Sequence, residues 1–193
     1  MRPAFTGHSL ATAIFTASLL VWGVIEVRQG LRRRPGATNT DRGSLNLLRV
    51  LSIVAALLAA SALRISAAAF GYNPVVMGIS IGLIWAGIGL RLWSFQTLGR
   101  YFTFQVMTSQ DQPVITGGPY RYVRHPSYTA LLLILVGIGL SYGNWLSLAA
   151  LTVVPLAGFI NRIRVEEAAL SSTLGDRYTT YAAGRKRLVP FIW

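Results

Sequence analysis

Residues 75–97 form an unbroken run of 23 residues with one charged side chain, Arg91. A helix rises about 1.5 Å per residue, so about 20 such residues cross the roughly 30 Å hydrocarbon layer of a bilayer. The run is one of five apolar segments, at 9–27, 48–70, 75–97, 127–141 and 145–161. Hydrophobic residues make up 53% of the 193 and charged residues only 12%, about half the charged share usual in soluble domains. The pattern predicts an all-α integral membrane protein with five transmembrane helices, and cytosolic loops and a C-terminal helix that form a pocket. The last two segments are short. Joined by "SYGNW", they read as a tight helical hairpin. Residues 1–70 form an N-terminal two-helix part and 75–193 the remaining core of one membrane domain. The first segment lacks the basic flank and small-residue cleavage site of a signal peptide, so it is expected to stay in the mature chain.

The net charge of +12 would suggest nucleic acid in a soluble chain. Here its distribution points to topology instead. Arg28, Arg32, Arg33, Arg34, Arg42 and Arg49 follow the first segment. Arg100, Arg121 and Arg124 follow the third, and Arg162, Arg164, Arg177, Arg185, Lys186 and Arg187 follow the fifth. Arg2 stands alone on the other side. Positive residues favour the cytosolic face, so the N-terminus is expected outside and the C-terminus in the cytosol. Arg64 and Arg91 fall inside predicted spans; Arg64 is expected to snorkel to the interface, and for Arg91 snorkelling and facing a site built by the cytosolic loops both stay open. Gly78, Gly82 and Ala86 recur every four residues, a spacing that suits close helix packing within the chain or across a dimer. The stretch 32–44, "RRRPGATNTDRGS", reads as a flexible polar loop facing anionic lipid.

The chain has no cysteine, and its two histidines, His8 and His125, are far apart. Thiolate chemistry is excluded and no metal site is expected. The polar chemistry concentrates in 98–126 and beyond 162. Pro119 and Pro126 shape the turn 117–126, and Gly118 lets backbone approach a ligand or relieves the turn. Arg124 offers a fork for a carboxylate or for lipid phosphate, and His125 a cap or a ligand contact. Arg162 and Glu166 are neighbours four apart on one helix, an arrangement that forms an ordinary ion pair or a site. Glu166 and Glu167 project about 100° apart. Two adjacent carboxylates just beyond a span, among only six acids, favour a functional role. Tyr178 and Tyr181 read as core, or as cover for an aromatic base.

"GPYRYVRHPSY" at 118–128, "RIRVEEAALSSTLGDRYTTY" at 162–181 and "RKRLVPFI" at 185–192 together resemble the isoprenylcysteine carboxyl methyltransferase family and its phospholipid methyltransferase relatives. "LRLWSFQTLGRYFTFQV" at 90–106 is a weaker match, and residues 1–70 carry no matching motif. The resemblance implies S-adenosylmethionine as methyl donor, held by Tyr120, Arg124, His125, Tyr128 and Glu167 with backbone bonds from Gln105 and Val106. It implies that Arg162 and Glu166 serve the acceptor and catalysis, with Arg91 nearby, and that a lipophilic acceptor arrives from the bilayer. That acceptor is expected to be the carboxylate of an isoprenylcysteine-like substrate, with a phospholipid or other lipid amine as the alternative. A membrane reductase using NADPH and a non-enzymatic scaffold are the competing readings.

Overall fold

The computed structural model describes residues 3–31, 38–189 and 193. Arg2, Arg32, Arg33 and Arg34, part of the predicted charge asymmetry, lie outside the described residues, as does most of "VPFI". Among the described residues six α-helices follow in order: α1 Ser9–Gly30, α2 Ser44–Ala62, α3 Pro74–Leu98, α4 Pro126–Ser141, α5 Trp145–Leu174 and α6 Asp176–Ala183. Two short strands, β1 Thr38–Asn39 and β2 Met107–Thr108, pair antiparallel. Four helical stretches are long and apolar enough to cross a membrane: Ser9–Gly30, Ser44–Ala62, Pro74–Tyr101 and Trp145–Leu174. α4 is apolar but shorter. The core joins Phe15, Ala55, Ala59, Ile84, Ile88, Ile134, Ile138 and Leu151. Outward faces carry exposed Val24, Val50, Ile53, Leu57, Val75, Ile79, Trp85 and Trp93, the surface a bilayer would cover.

Two boundaries differ from the sequence expectation for tertiary reasons. α2 begins at Ser44, where the Asp41 carboxylate accepts from the Ser44 hydroxyl (3.0 Å) and the Leu45 amide (3.1 Å). It ends at Ala62, where the buried Asn144 side chain donates to the Ala62 carbonyl (3.1 Å) and also caps α5 at the Ser147 amide (3.0 Å). Arg64 thus sits in the turn after α2, exposed rather than within a span. The short apolar segment 145–161 opens a longer helix, α5, as the Leu170 and Leu174 stripe and the glycine at 175 lead one to expect. That helix continues 30 residues to Gly175, whose φ of +56° suits a glycine stop. Asn73 starts α3 by accepting from the Val75 and Val76 amides, with Pro74 in the first turn.

The glycines that pack α3 are not those of the Gly78–Gly82 stripe. Nothing lies within 4 Å of a Cβ added at Gly78 or Gly82. Gly87 instead meets α4, with Ile134 Cγ1 at 2.6 Å and the Ala130 carbonyl at 2.7 Å from such a Cβ. Gly137 answers from α4, its carbonyl accepting from Ser80 Oγ at 2.6 Å. The α3–α4 pair is therefore drawn together by Gly87, Gly137 and Ser80, and it holds Arg91 against Ser127.

Candidate active site at the helix ends

The C-terminal end of α3, the N-terminal ends of α2 and α4 and the C-terminal half of α5 come to one end of the bundle. They enclose a cavity of about 580 Å³. Its lining includes Arg91, Gln105, Val106, Tyr120, Arg124, His125, Tyr128, Arg162, Glu166, Tyr178 and Tyr181. Leu48, Ile53 and Leu131 add an apolar flank, and Ile53 is also 61% exposed on the outer face. One side of the cavity is polar and the other greasy.

Arg91 does not snorkel. It is buried at 3% exposure, with Nε 2.7 Å from Glu26 Oε1 and Nη2 2.8 Å from Glu26 Oε2. Its Nη1 donates to the Ser127 carbonyl (3.1 Å) and to the Ser127 hydroxyl. Its guanidinium lies 4.7 Å from the Phe95 ring centroid.

Arg162 is equally buried. Its Nη1 donates to Asp41 Oδ1 (2.6 Å) and Ser44 Oγ (2.9 Å), its Nη2 to the Phe104 carbonyl, and its Nε to the Tyr128 hydroxyl (2.8 Å). The Tyr128 hydroxyl donates in turn to Glu166 Oε2 at 3.0 Å. The simple Arg162–Glu166 pair expected from the four-residue spacing is thus replaced by a Tyr128 bridge, while Arg162 takes its carboxylate from Asp41. Burial pushes the Asp41 carboxyl up, but the Leu45 amide and the Arg162 guanidinium outweigh that and hold it below its ordinary value.

Glu167 stands behind the cavity wall, not in the lining. Its Oε1 is 3.0 Å from His125 Nε2 and 3.0 Å from Arg124 Nη1; its Oε2 is 2.9 Å from Arg187 Nη2. The segment 185–188 closes this wall, its Lys186 and Arg187 carbonyls accepting from the Arg124 (2.8 Å) and His125 (2.9 Å) amides. Gly118 also lies outside the cavity lining. With φ at +54° it turns the chain against α3, and an added Cβ would sit 2.5 Å from Thr97 Oγ1. Gln105 and Val106 sit at the cavity edge, where the β1–β2 pairing joins them to residues 38–41.

Tyr178 and Tyr181 are both core and cavity wall, packed with Leu174. The Tyr181 hydroxyl donates to the Tyr120 carbonyl at 2.8 Å, and burial raises its pKa to about 12. Burial likewise pushes the Tyr120 and Tyr178 hydroxyls well above their ordinary value. All three rings face the cavity neutral. Among the described residues no hydrogen-bond partner reaches two buried polar atoms of the lining, Arg124 Nε and the Tyr178 hydroxyl.

Sequence reasoning missed Glu26 and Asp41. Glu26 is the sole acid in the first apolar segment, and an ionisable residue at membrane depth is a signal in itself. Asp41, three residues before Ser44 and an apolar run, carries a helix-start signature. The stretch that contains it, expected to be a flexible lipid-facing loop, is from residue 38 onward stitched into the site.

An α-helical bundle with four candidate spans and a part-polar, part-apolar cavity at one end defines a membrane-type protein built to bring a polar group and a greasy one together. Residues 75–177 match the family described as phospholipid methyltransferase, and the chain belongs to that family. It is 32% identical over 115 residues to the protein-S-isoprenylcysteine O-methyltransferase of Schizosaccharomyces pombe, covering 58% of this chain and 49% of that one. It is 35% identical over 116 residues to a probable protein-S-isoprenylcysteine O-methyltransferase of Oryza sativa subsp. indica, covering 58% of this chain and 61% of that one. The chain thus spans about half to three fifths of the curated relatives it matches. The solved structure of the eukaryotic intramembrane Ras methyltransferase, isoprenylcysteine carboxyl methyltransferase, superposes with a TM-score of 0.61 at 27% identity, over 72% of this chain and 52% of that one.

Proposed function

We propose that the protein transfers a methyl group from S-adenosylmethionine to a lipophilic acceptor, the carboxylate of an isoprenylcysteine-like substrate. The observation that carries this is the single cavity that gathers Arg91, Tyr120, Arg124, His125, Tyr128, Arg162 and Glu166 beside an apolar flank open to the outer face. The relatives' names point the same way. The lining suits the donor: the unpartnered Arg124 Nε and Tyr178 hydroxyl are uncommitted polar atoms, and Tyr120, Tyr178 and Tyr181 offer neutral rings for a purine. When bound, S-adenosylmethionine supplies a methyl group on a positive sulfur.

The residues then have distinct tasks. Arg124 and the aromatic rings hold the donor, with Gln105 offering backbone bonds; the backbone of Val106, also expected to serve here, is taken instead by Asp41 and Thr40. Tyr128 fixes Glu166 and Arg162 relative to each other. Leu48, Ile53 and Leu131 take the acceptor's apolar part and exclude water, which strengthens every electrostatic contact inside. A carboxylate acceptor needs no base, so the contribution of these groups is alignment. Gly118 and Glu167 act on the donor indirectly, through the turn and through Arg124 and His125. In the membrane the same reading has five spans, α4 being the short fifth, with the N-terminus outside and the cavity end and α6 in the cytosol.

A second reading has a specific observation behind it. Among the described residues no hydrogen bond reaches Glu166 Oε1, and a carboxylate with a free oxygen suits proton removal from a lipid amine. Purified protein assayed with S-farnesylated N-acetylcysteine and with phosphatidylethanolamine separates the two. Glu166→Gln is expected to stay folded and lose transfer in either case; full activity of that variant removes its chemical role. Titration with S-adenosylhomocysteine is expected to give binding where NADPH gives none, and the reverse would move the assignment to a reductase.

A further inference from the structure

Both arginines on the acceptor side are held by acids that lie outside the 75–177 segment shared with the family. Arg91 on α3 takes Glu26 from α1, 65 residues away in sequence; Arg162 on α5 takes Asp41, 121 residues away. A guanidinium has five N–H groups. In Arg91, Nε and one Nη2 hydrogen go to Glu26 and both Nη1 hydrogens to Ser127. In Arg162, Nε goes to Tyr128, the Nη1 hydrogens to Asp41 and Ser44, and one Nη2 hydrogen to Phe104. Among the described residues each arginine keeps one uncommitted N–H. Neither can offer a two-bond fork to an acceptor without giving up one of its present hydrogen bonds.

We propose that Glu26 and Asp41 are positioning residues, Glu26 for Arg91 and Asp41 for Arg162. They complete the acceptor side of the cavity from the N-terminal part and leave one N–H per arginine to direct the acceptor's head group. Asp41 does this while tied to the opposite wall. Its Oδ1 also accepts from the Val106 amide at 3.4 Å, and the Thr40 amide donates to the Val106 carbonyl at 2.8 Å. The Val106 amide, next to Gln105 in the cavity lining, and the arginine that would direct the acceptor therefore share one carboxylate. The inference rests on the acceptor-side role given to Arg91 and Arg162 above.

The test uses the full chain in detergent and an arginine-selective reagent, phenylglyoxal, that reaches both residues through the cavity they line. Peptide mass spectrometry reads each site. In the unaltered protein both arginines are expected to be protected. Asp41→Asn is expected to raise labelling at Arg162 several-fold and leave Arg91 protected; Glu26→Gln is expected to do the reverse. Turnover with S-farnesylated N-acetylcysteine is expected to fall on the order of ten- to a hundredfold in each, as for a positioned group displaced by about 1 Å, with the dissociation constant of S-adenosylhomocysteine changed far less. A merely structural role would unmask both arginines together, in step with lost thermal stability, and that result overturns the proposal, as does protection in both variants. Where a neutral variant does not fold, Asp41→Glu and Glu26→Asp carry the same crossed labelling test. If the unaltered protein fails to methylate either acceptor while the crossed pattern holds, the acceptor reading falls and the positioning stands.

Discussion

Replacing Gly87 by alanine separates a packing glycine from an exposed one on the same helix. The new Cβ would stand 2.7 Å from the Ala130 carbonyl oxygen and 2.6 Å from Ile134 Cγ1. Ordinary contacts of such atoms are about 3.5 Å, so α3 and α4 must part by roughly 0.8–0.9 Å at that level. Overpacking of this size costs about 1–3 kcal/mol. The strain falls one helical turn from Arg91 and one from Ser127, so the contact between them loosens, and methyl transfer is expected to fall by at least about tenfold. Gly82→Ala, with nothing within 4 Å, is expected to be neutral or to stabilise by up to about 1 kcal/mol through helix propensity. Reversible unfolding in detergent, paired with a transfer assay, reads both. Equal losses in the two variants, or a harmless Gly87→Ala, would refute the reasoning, and a destabilising Gly82→Ala would mean that the Gly78–Gly82 face is packed.

Glu167→Gln leaves Arg124, His125 and Arg187 without their shared carboxylate, so calorimetry is expected to show weaker S-adenosylhomocysteine binding and a lower melting temperature together. Asn144→Ala removes one helix cap and the donor to a buried carbonyl; chemical unfolding is expected to show a loss of about 2–3 kcal/mol with donor affinity intact. Asp41 has its carboxyl held below the ordinary 3.8, so its contribution is present above that pH and disappears as pH falls through the lower folded value. Melting temperature is expected to drop below about pH 4 in the unaltered protein, and Asp41→Asn should lose part of that drop because its carboxamide does not titrate.

The sequence reading reached the helices through the one property they share, long apolar runs. It reached the turn at 117–126 through its prolines, and the Arg162–Glu167 cluster through its rarity in an acid-poor chain. It misjudged what depends on distant partners. α2 ends at Ala62 because Asn144, over 80 residues later, takes its carbonyl, and no local pattern in "LRISAAAF" announces that. Arg91 looked free to snorkel because its acid lies on another helix. Glu167 and Gly118, which the resemblance names as cofactor contacts, stand outside the cavity lining, a placement no local pattern announces. The 38–45 strap read as a loop because its β1–β2 pairing is only two residues long.

The segment 185–188 gives the cavity a place in time as well as in space. A chain is made from its N-terminus at a few residues per second and threads into the membrane as it emerges. Arg124 and His125 arrive some 60 residues before the Lys186 and Arg187 carbonyls that accept from their amides, and Glu167 precedes the Arg187 guanidinium that completes its shell. Until those last partners appear, this wall of the cavity has two open amides and an incomplete charge network, so a chain halted before Lys186 is expected to carry the bundle with that wall unfinished.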